Sequence, residues 1–166
     1  MKTDGIPNDL TTGFFQQAKN RMRDSIHVLR VSDYNTTGLD GAKDGQKGSS
    51  WYNLIKGRGS SNKNIMSGGS FGIGNSAPFA CSDLRTVFYA SKSEGIDSFI
   101  GVSRLISHYD PIYDCMTIGT GFYSDNESLD AILEPFSLNG YQRQKDGTDI
   151  YIMGFEKDEN LSDTIK

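Results

Sequence analysis

Ten of the chain's 19 glycines fall between Gly38 and Gly74, and this concentration limits the possible folds more than any other feature. The same stretch holds Ser49, Ser50, Ser60, Ser61 and Ser67, together with Lys43, Lys47, Lys56, Arg58 and Lys63. A solvated linker has a similar composition. This stretch, however, lies between two segments with the character of ordered core. It is therefore expected to be a long mobile loop inside one domain, and loops of that length in compact domains are functional or disordered.

The flanking segments set the fold class. Residues 14–23 (FFQQAKNRMR) have helical composition, and residues 26–31 (IHVLRV) form a nearly continuous apolar run of the kind found in strands buried on both faces. Trp51 to Ile55 allow one helical turn. Ser76 as N-cap with Pro78 in the first turn predicts a helix through Leu84, Val87 and Phe88 to about Ser91. Strands are expected over 99–106, 114–123 and 149–155, with a short helix near Ser128 to Leu133. The expectation is an α+β two-layer sandwich: a mixed, mostly antiparallel sheet with helices on one face. Residues 1–13 are expected to be a flexible segment, 14–156 the domain, and 157–166 a tail or linker.

Hydrophobic residues, at 36% of the 166, are enough to build one core, and a net charge of -4 gives no electrostatic footprint for nucleic acid. No apolar run approaches the ~18 residues of a membrane span. Met1 to Gly5 carry no apolar signal-peptide core, so a cytoplasmic protein is expected. Cys81 and Cys115, far apart and in no CxxC pair, are expected to be reduced, buried thiols. His27 and His108 have no third ligand nearby, so no metal site is expected there.

Three constellations carry chemistry. Asp33-Tyr34-Asn35-Thr36-Thr37-Gly38-Leu39 follows the first strand, where a carboxylate can point into a cleft and accept a hydrogen bond from an exocyclic amine such as that of adenine. Asx-turns after strands have the same composition. Gly68 to Ser76 (GGSFGIGNS) matches GxxGxG from Gly69 to Gly74, with Ser70, Phe71, Gly72 and Ile73 between. Glycines let backbone N–H groups approach an anion, and a following helix N-terminus adds unpaired donors. A Rossmann fingerprint is disfavoured because a Ser/Gly/Lys loop, not a strand, precedes the glycines. A Walker loop is excluded, since no Gly-Lys-Ser/Thr follows. The third constellation, Gly147-Thr148, enters the last strand. Arg104 and Arg143 are possible phosphate contacts, with surface charge the commoner role.

Taken in this order, the three resemble the motifs of the GHKL superfamily of Bergerat-fold ATPases, which includes gyrase B subunits, MutL proteins, heat-shock chaperone ATPase domains and sensor histidine kinases. The stretch 69–89 and the DYNTTGL run also look like a group of uncharacterised bacterial ATP-binding proteins of that type. The resemblance implies that Asp33 binds the adenine amino group, with Asn35 and Gly38 in the same box. Gly69, Ser70, Phe71, Gly72, Ile73 and Gly74 would cradle the phosphates, and Thr148 would support the Asp33–adenine contact. It further implies ATP with magnesium as ligands and a lid over about 39–68. Lid closure would drive dimerisation or movement of the remaining domains of a larger protein. A degenerate scaffold module of the same fold is the alternative.

Several positions depart from the family pattern. Asn35 replaces the box's first glycine and Gly38 is displaced by one position, although Asn tolerates left-handed backbone. Asn75 stands where related lids often carry a lysine. The family's catalytic helix bears Glu-x-x-x-Asn, and the nearest echo here is Gln16-x-x-x-Asn20, only 13 residues before Asp33. Gln cannot take a proton as a carboxylate does, so the catalytic helix is expected to be absent from this chain, whether truncated or lost. The chain alone is accordingly expected to release no phosphate from ATP. Magnesium-dependent release that Asp33→Asn abolishes would overturn this.

Overall fold

The computed structural model describes residues 9–22, 25–55, 76–110, 112–126 and 130–155. Its elements are α1 (Asp9–Arg21), β1 (Val28–Ser32), α2 (Ser50–Ile55), α3 (Ala77–Ala80), β2 (Ser82–Ser93), β3 (Ile96–Arg104), β4 (Tyr109–Asp110), β5 (Cys115–Met116), β6 (Thr120–Tyr123), β7 (Ser137–Leu138), β8 (Tyr141–Gln142) and β9 (Gly147–Phe155). Five strands form one sheet in the order β1-β9-β2-β3-β6, and every pairing within it is antiparallel. The architecture is α+β, with a mostly antiparallel sheet and few helices, compatible with a two-layer sandwich. Among the described residues, no helix is long and apolar enough to cross a membrane.

Strand alternation divides the sheet into two unlike faces. One face presents Val87 and Tyr89 of β2 and Ile100 and Val102 of β3. Trp51 and Ile55 of α2, Phe79 of α3, Ala42 and Ala131 pack onto it. Burying a side chain the size of Trp51, which is 2% exposed, stabilises a fold by about 2–3 kcal/mol. The opposite face is aromatic: Phe136 packs against Phe88, Phe99 and Tyr151, and Tyr123 against Phe88 and Phe99.

Two expected helices are strands or bridges instead. The segment 82–91 belongs to β2 because Thr86, Val87, Phe88 and Tyr89 are β-branched or aromatic and are covered on both faces, which favours a central strand. Ser76 makes no side-chain cap; its hydroxyl accepts instead from Arg104 Nη1 at 3.3 Å, and the helix ends after one turn. Asp83 and Arg85 therefore lie on a strand. In the short helix expected near 128–133, residues 127–129 lie outside the described residues. Ile132 beyond them exchanges two 2.9 Å backbone bonds with Phe99, an antiparallel bridge that excludes helix.

Other expectations shift in position or burial. α1 begins at Asp9, inside the stretch expected as a flexible segment. β1 is an edge strand, not one buried on both faces, and Val31 is 50% exposed. Cys81 and Cys115 are free but exposed, not buried. Residues 39–55, the first part of the expected lid, are docked on the sheet. Ser49 caps α2 by accepting the Tyr52 N–H at 3.1 Å, and Asp40 accepts the Ser50 N–H at 3.0 Å. Those Ser50 hydrogen bonds hold the Asp40 carboxyl below its ordinary value. Residues 56–68 of that lid, and the tail 157–166, lie outside the described residues.

Gly101 faces Phe88 across the β2–β3 pair, and a Cβ there would come within 2.8 Å of the Phe88 ring and 3.0 Å of Tyr123 Cβ. The Phe88 ring is itself packed against Tyr123 and Phe136 and has little room to yield. Gly101→Val is expected to cost about 1–3 kcal/mol by overpacking. Gly121→Val on β6, where nothing lies within 4 Å of an added Cβ, should stay within about 0.5 kcal/mol. Denaturant titration of both variants checks the contrast.

Candidate functional site

The end of β1 and the start of β9 form a corner of the sheet in which distant segments meet. Asp33, the first residue after β1, donates its N–H to Thr148 O at 3.0 Å. Its Oδ1 accepts the Thr148 N–H at 2.5 Å, across 115 residues of sequence. The Asp33 side chain is 46% exposed. Among the described residues nothing bonds its Oδ2, which leaves one acceptor uncommitted.

Gly147 makes this approach possible. It stands at φ +139°, where L side chains are rare, and a Cβ there would press on Arg143 Nη1 and lie 2.6 Å from Asp33 Oδ1. The loop after Asp33 then folds back onto β2. Asn35 takes left-handed backbone at φ 59°, the conformation its side chain tolerates. Gly38, also left-handed at φ 71°, lies so close to Lys92 O that no Cβ fits. Leu39 donates its N–H to Ser91 Oγ at 2.8 Å, and the Ser91 hydroxyl donates to Gly147 O at 3.2 Å. Ser91 is 3% exposed, so one buried hydroxyl joins the Asp33 loop to the start of β9.

A buried arginine stands behind the corner. Arg143 grips Asp149 with Nε to Oδ2 at 3.0 Å and Nη2 to Oδ1 at 2.7 Å. Nη2 also reaches Asp33 O and Thr148 O, each at 2.9 Å, and Nη1 reaches the carbonyls of Lys145 and Asp146. Its side chain is 6% exposed and that of Asp149 1%. Burial alone would lower the guanidinium pKa. The hydrogen bonds and charge of Asp149 outweigh this, with smaller contributions from Tyr141 and Asp33, and leave Arg143 above its ordinary value. Asp149 shares the aromatic face with Tyr151, whose hydroxyl is pushed up to about 12, first by burial and then by the Asp149 charge.

The surface and phosphate roles considered for Arg143 thus give way to a structural one: a guanidinium this enclosed is spent on internal acceptors. Arg104 packs over the Phe79 ring at 4.0 Å. Asp33 and Thr148 come together at the corner, Gly38 closes onto the Ser91–Lys92 segment beside it, and Asn35 lies on the loop between Asp33 and Gly38. Gly69, Ser70, Phe71, Gly72, Ile73 and Gly74, together with Asn75, lie outside the described residues. The helix after them is a single turn, so little helix dipole backs the glycine loop. Sequence reasoning missed Ser91 and the Arg143–Asp149 pair. A carboxylate inside the apolar run of 149–155 was a signal for a buried partner, because an unpaired charge there is prohibitive.

Other parts of the molecule hold less. Gln16 Nε2 donates to Asn20 Oδ1 at 3.3 Å on the exposed side of α1. That helix is anchored by the Arg21–Asp83 pair and by Phe15 against His108, contacts at the start of β2 and beyond the end of β3. Thr148 pairs with Ser91, while the start of β2 lies opposite Met153 to Phe155, five to seven residues along β9, which is roughly 20 Å at strand rise. A polar concavity of about 520 Å³ lined by Gln17, Asn20, Arg21 and Asp83 lies at that remote end. Among the described residues no group of three His, Cys, Asp or Glu side chains is placed to hold a metal ion. No family model, curated protein or solved structure matches the chain.

The strained glycine gives a direct test of how tightly the corner is built. Gly147→Ala combines an unfavourable φ with displacement of two packed side chains. It is expected to destabilise the fold by about 2–4 kcal/mol in guanidinium denaturation. A loss below about 0.5 kcal/mol, within the range of ordinary surface changes, would show that the corner yields freely.

Proposed function

We propose that the chain is an adenine-nucleotide-binding module of the GHKL type, with the corner of Asp33 and Thr148 as its base-recognition end. One observation carries the reading. The first and third motifs, distant in sequence, meet in two backbone-anchored hydrogen bonds that leave one carboxylate oxygen of a half-exposed side chain uncommitted. A fixed carboxylate acceptor is the complement of an exocyclic amine, and a hydrogen bond to a charged acceptor is worth about 1.5–3 kcal/mol. Phosphates would then be taken by the glycines from Gly69 to Gly74, with ATP as the expected ligand. Binding would act on a second copy or on further domains of a larger protein. Mg²⁺ would accompany ATP, as the resemblance implies.

Within the same reading, binding without hydrolysis is favoured by the chemistry of Gln16 and Asn20. Gln16 carries an amide where general-base chemistry needs a carboxylate, and its Nε2 is bonded to Asn20 Oδ1.

Asp33→Asn is the sharpest test, because the amide oxygen can still accept the Thr148 N–H while the amide nitrogen confronts the adenine amine with a donor. The fold should survive, with an unchanged melting curve. ADP affinity measured by calorimetry should fall by roughly 10- to 100-fold. Undiminished affinity in the folded variant would remove Asp33 from the site.

A further inference from the structure

We infer that Arg143, braced by Asp149, is a positioning residue that holds the Asp33 carboxylate and the Thr148 backbone in register for a 6-aminopurine; the inference rests on the nucleotide reading above. Arg143 touches no ligand in this role. Its Nη2 lies 2.9 Å from the carbonyls of both residues that would frame the base, and 3.9 Å from Asp33 Oδ1. One carbonyl is on β9 and the other just past the end of β1, so one nitrogen bridges the two segments. The fork is aimed by its two bonds to Asp149, which is fully buried and has no other described partner.

A lysine at 143 could keep the charge pair with Asp149 but cannot also span both carbonyls, since its single ammonium lacks the planar fork. The register of β1 on β9 would then be held only by the ladder itself at the open edge of the sheet. The Asp33 carboxylate would sample several orientations. Affinity for the amine would fall, while contacts to the phosphate end would remain.

The discriminating measurement is the ratio of affinities for ADP and inosine diphosphate, which differ at the 6-position that Asp33 would read. The wild-type chain should prefer ADP by roughly tenfold or more. Arg143→Lys should reduce the preference to within about twofold of the Asp33→Asn value, leave inosine diphosphate affinity nearly unchanged, and speed hydrogen exchange at the Thr148 amide. Removing the arginine alone strands a buried carboxylate, so the paired change Arg143→Met with Asp149→Leu serves as the second variant. Replacing both charges by apolar groups is commonly tolerated, and this variant should show the same lost preference in a folded protein. A wild-type preference for ADP that persists in both folded variants overturns the positioning role and leaves the nucleotide reading intact. A wild-type chain that binds neither nucleotide, or shows no preference, overturns the base-recognition reading. Thr148 exchange then decides for Arg143: acceleration in the lysine variant upholds its hold on the corner, and unchanged exchange overturns it.

Discussion

A single buried guanidinium ties together segments that lie far apart in the chain. Arg143 sits before β9, its carboxylate partner sits on β9, and its remaining acceptors include the residue that follows β1. Taking such a pair out of water is costly, and apolar groups of similar volume would often do as well for stability alone. What apolar groups cannot do is define which backbone carbonyls must converge. The pair therefore contributes arrangement more than free energy, and the arrangement concerns the two residues, Asp33 and Thr148, with the clearest chemical potential.

Thr148 and Asp149 are neighbours on β9, so their side chains point to opposite faces. Asp149 looks toward the aromatic layer around Tyr151, whereas Asp33 meets the Thr148 backbone, and there Arg143 Nη2 lies 3.9 Å from the Asp33 Oδ1. The ion pair thus stands beside the open carboxylate. Gly147 is the point at which both are crowded together, and for that reason it carries no side chain.

Much of this was legible in the residues and some was not. The apolar run ending at Asp33, the Gly-Thr entry to the last strand and the α+β class all follow from local pattern. The juxtaposition of Asp33 with Thr148 was an implication of resemblance, and the local sequence does not contain it. The segment 82–91 misleads because Leu84, Val87 and Phe88 fit helical spacing as well as a central strand. Only pairing with β3 and β9 on its two sides decides between them. Burial of β1 was misread for the converse reason, since an apolar run does not announce that it will lie at an edge. Arg143 looked like any charged loop residue; its meaning depends on Asp149, and the two are joined by a turn whose geometry the sequence does not state.

The placement of β9 has a consequence for how the protein comes into being. In chain order β9 is the last described strand, yet in space it lies between β1 and β2. During synthesis the β2–β3 hairpin can close as soon as its two strands are made, because Glu94 and Gly95 supply the tight turn. β1 has no partner at that stage. It must wait, with its backbone groups unpaired, until residues near 150 have left the ribosome. Sheets completed by such long-range pairing fold slowly and expose strand edges meanwhile. The corner that defines the molecule is therefore also the last part of the sheet to exist.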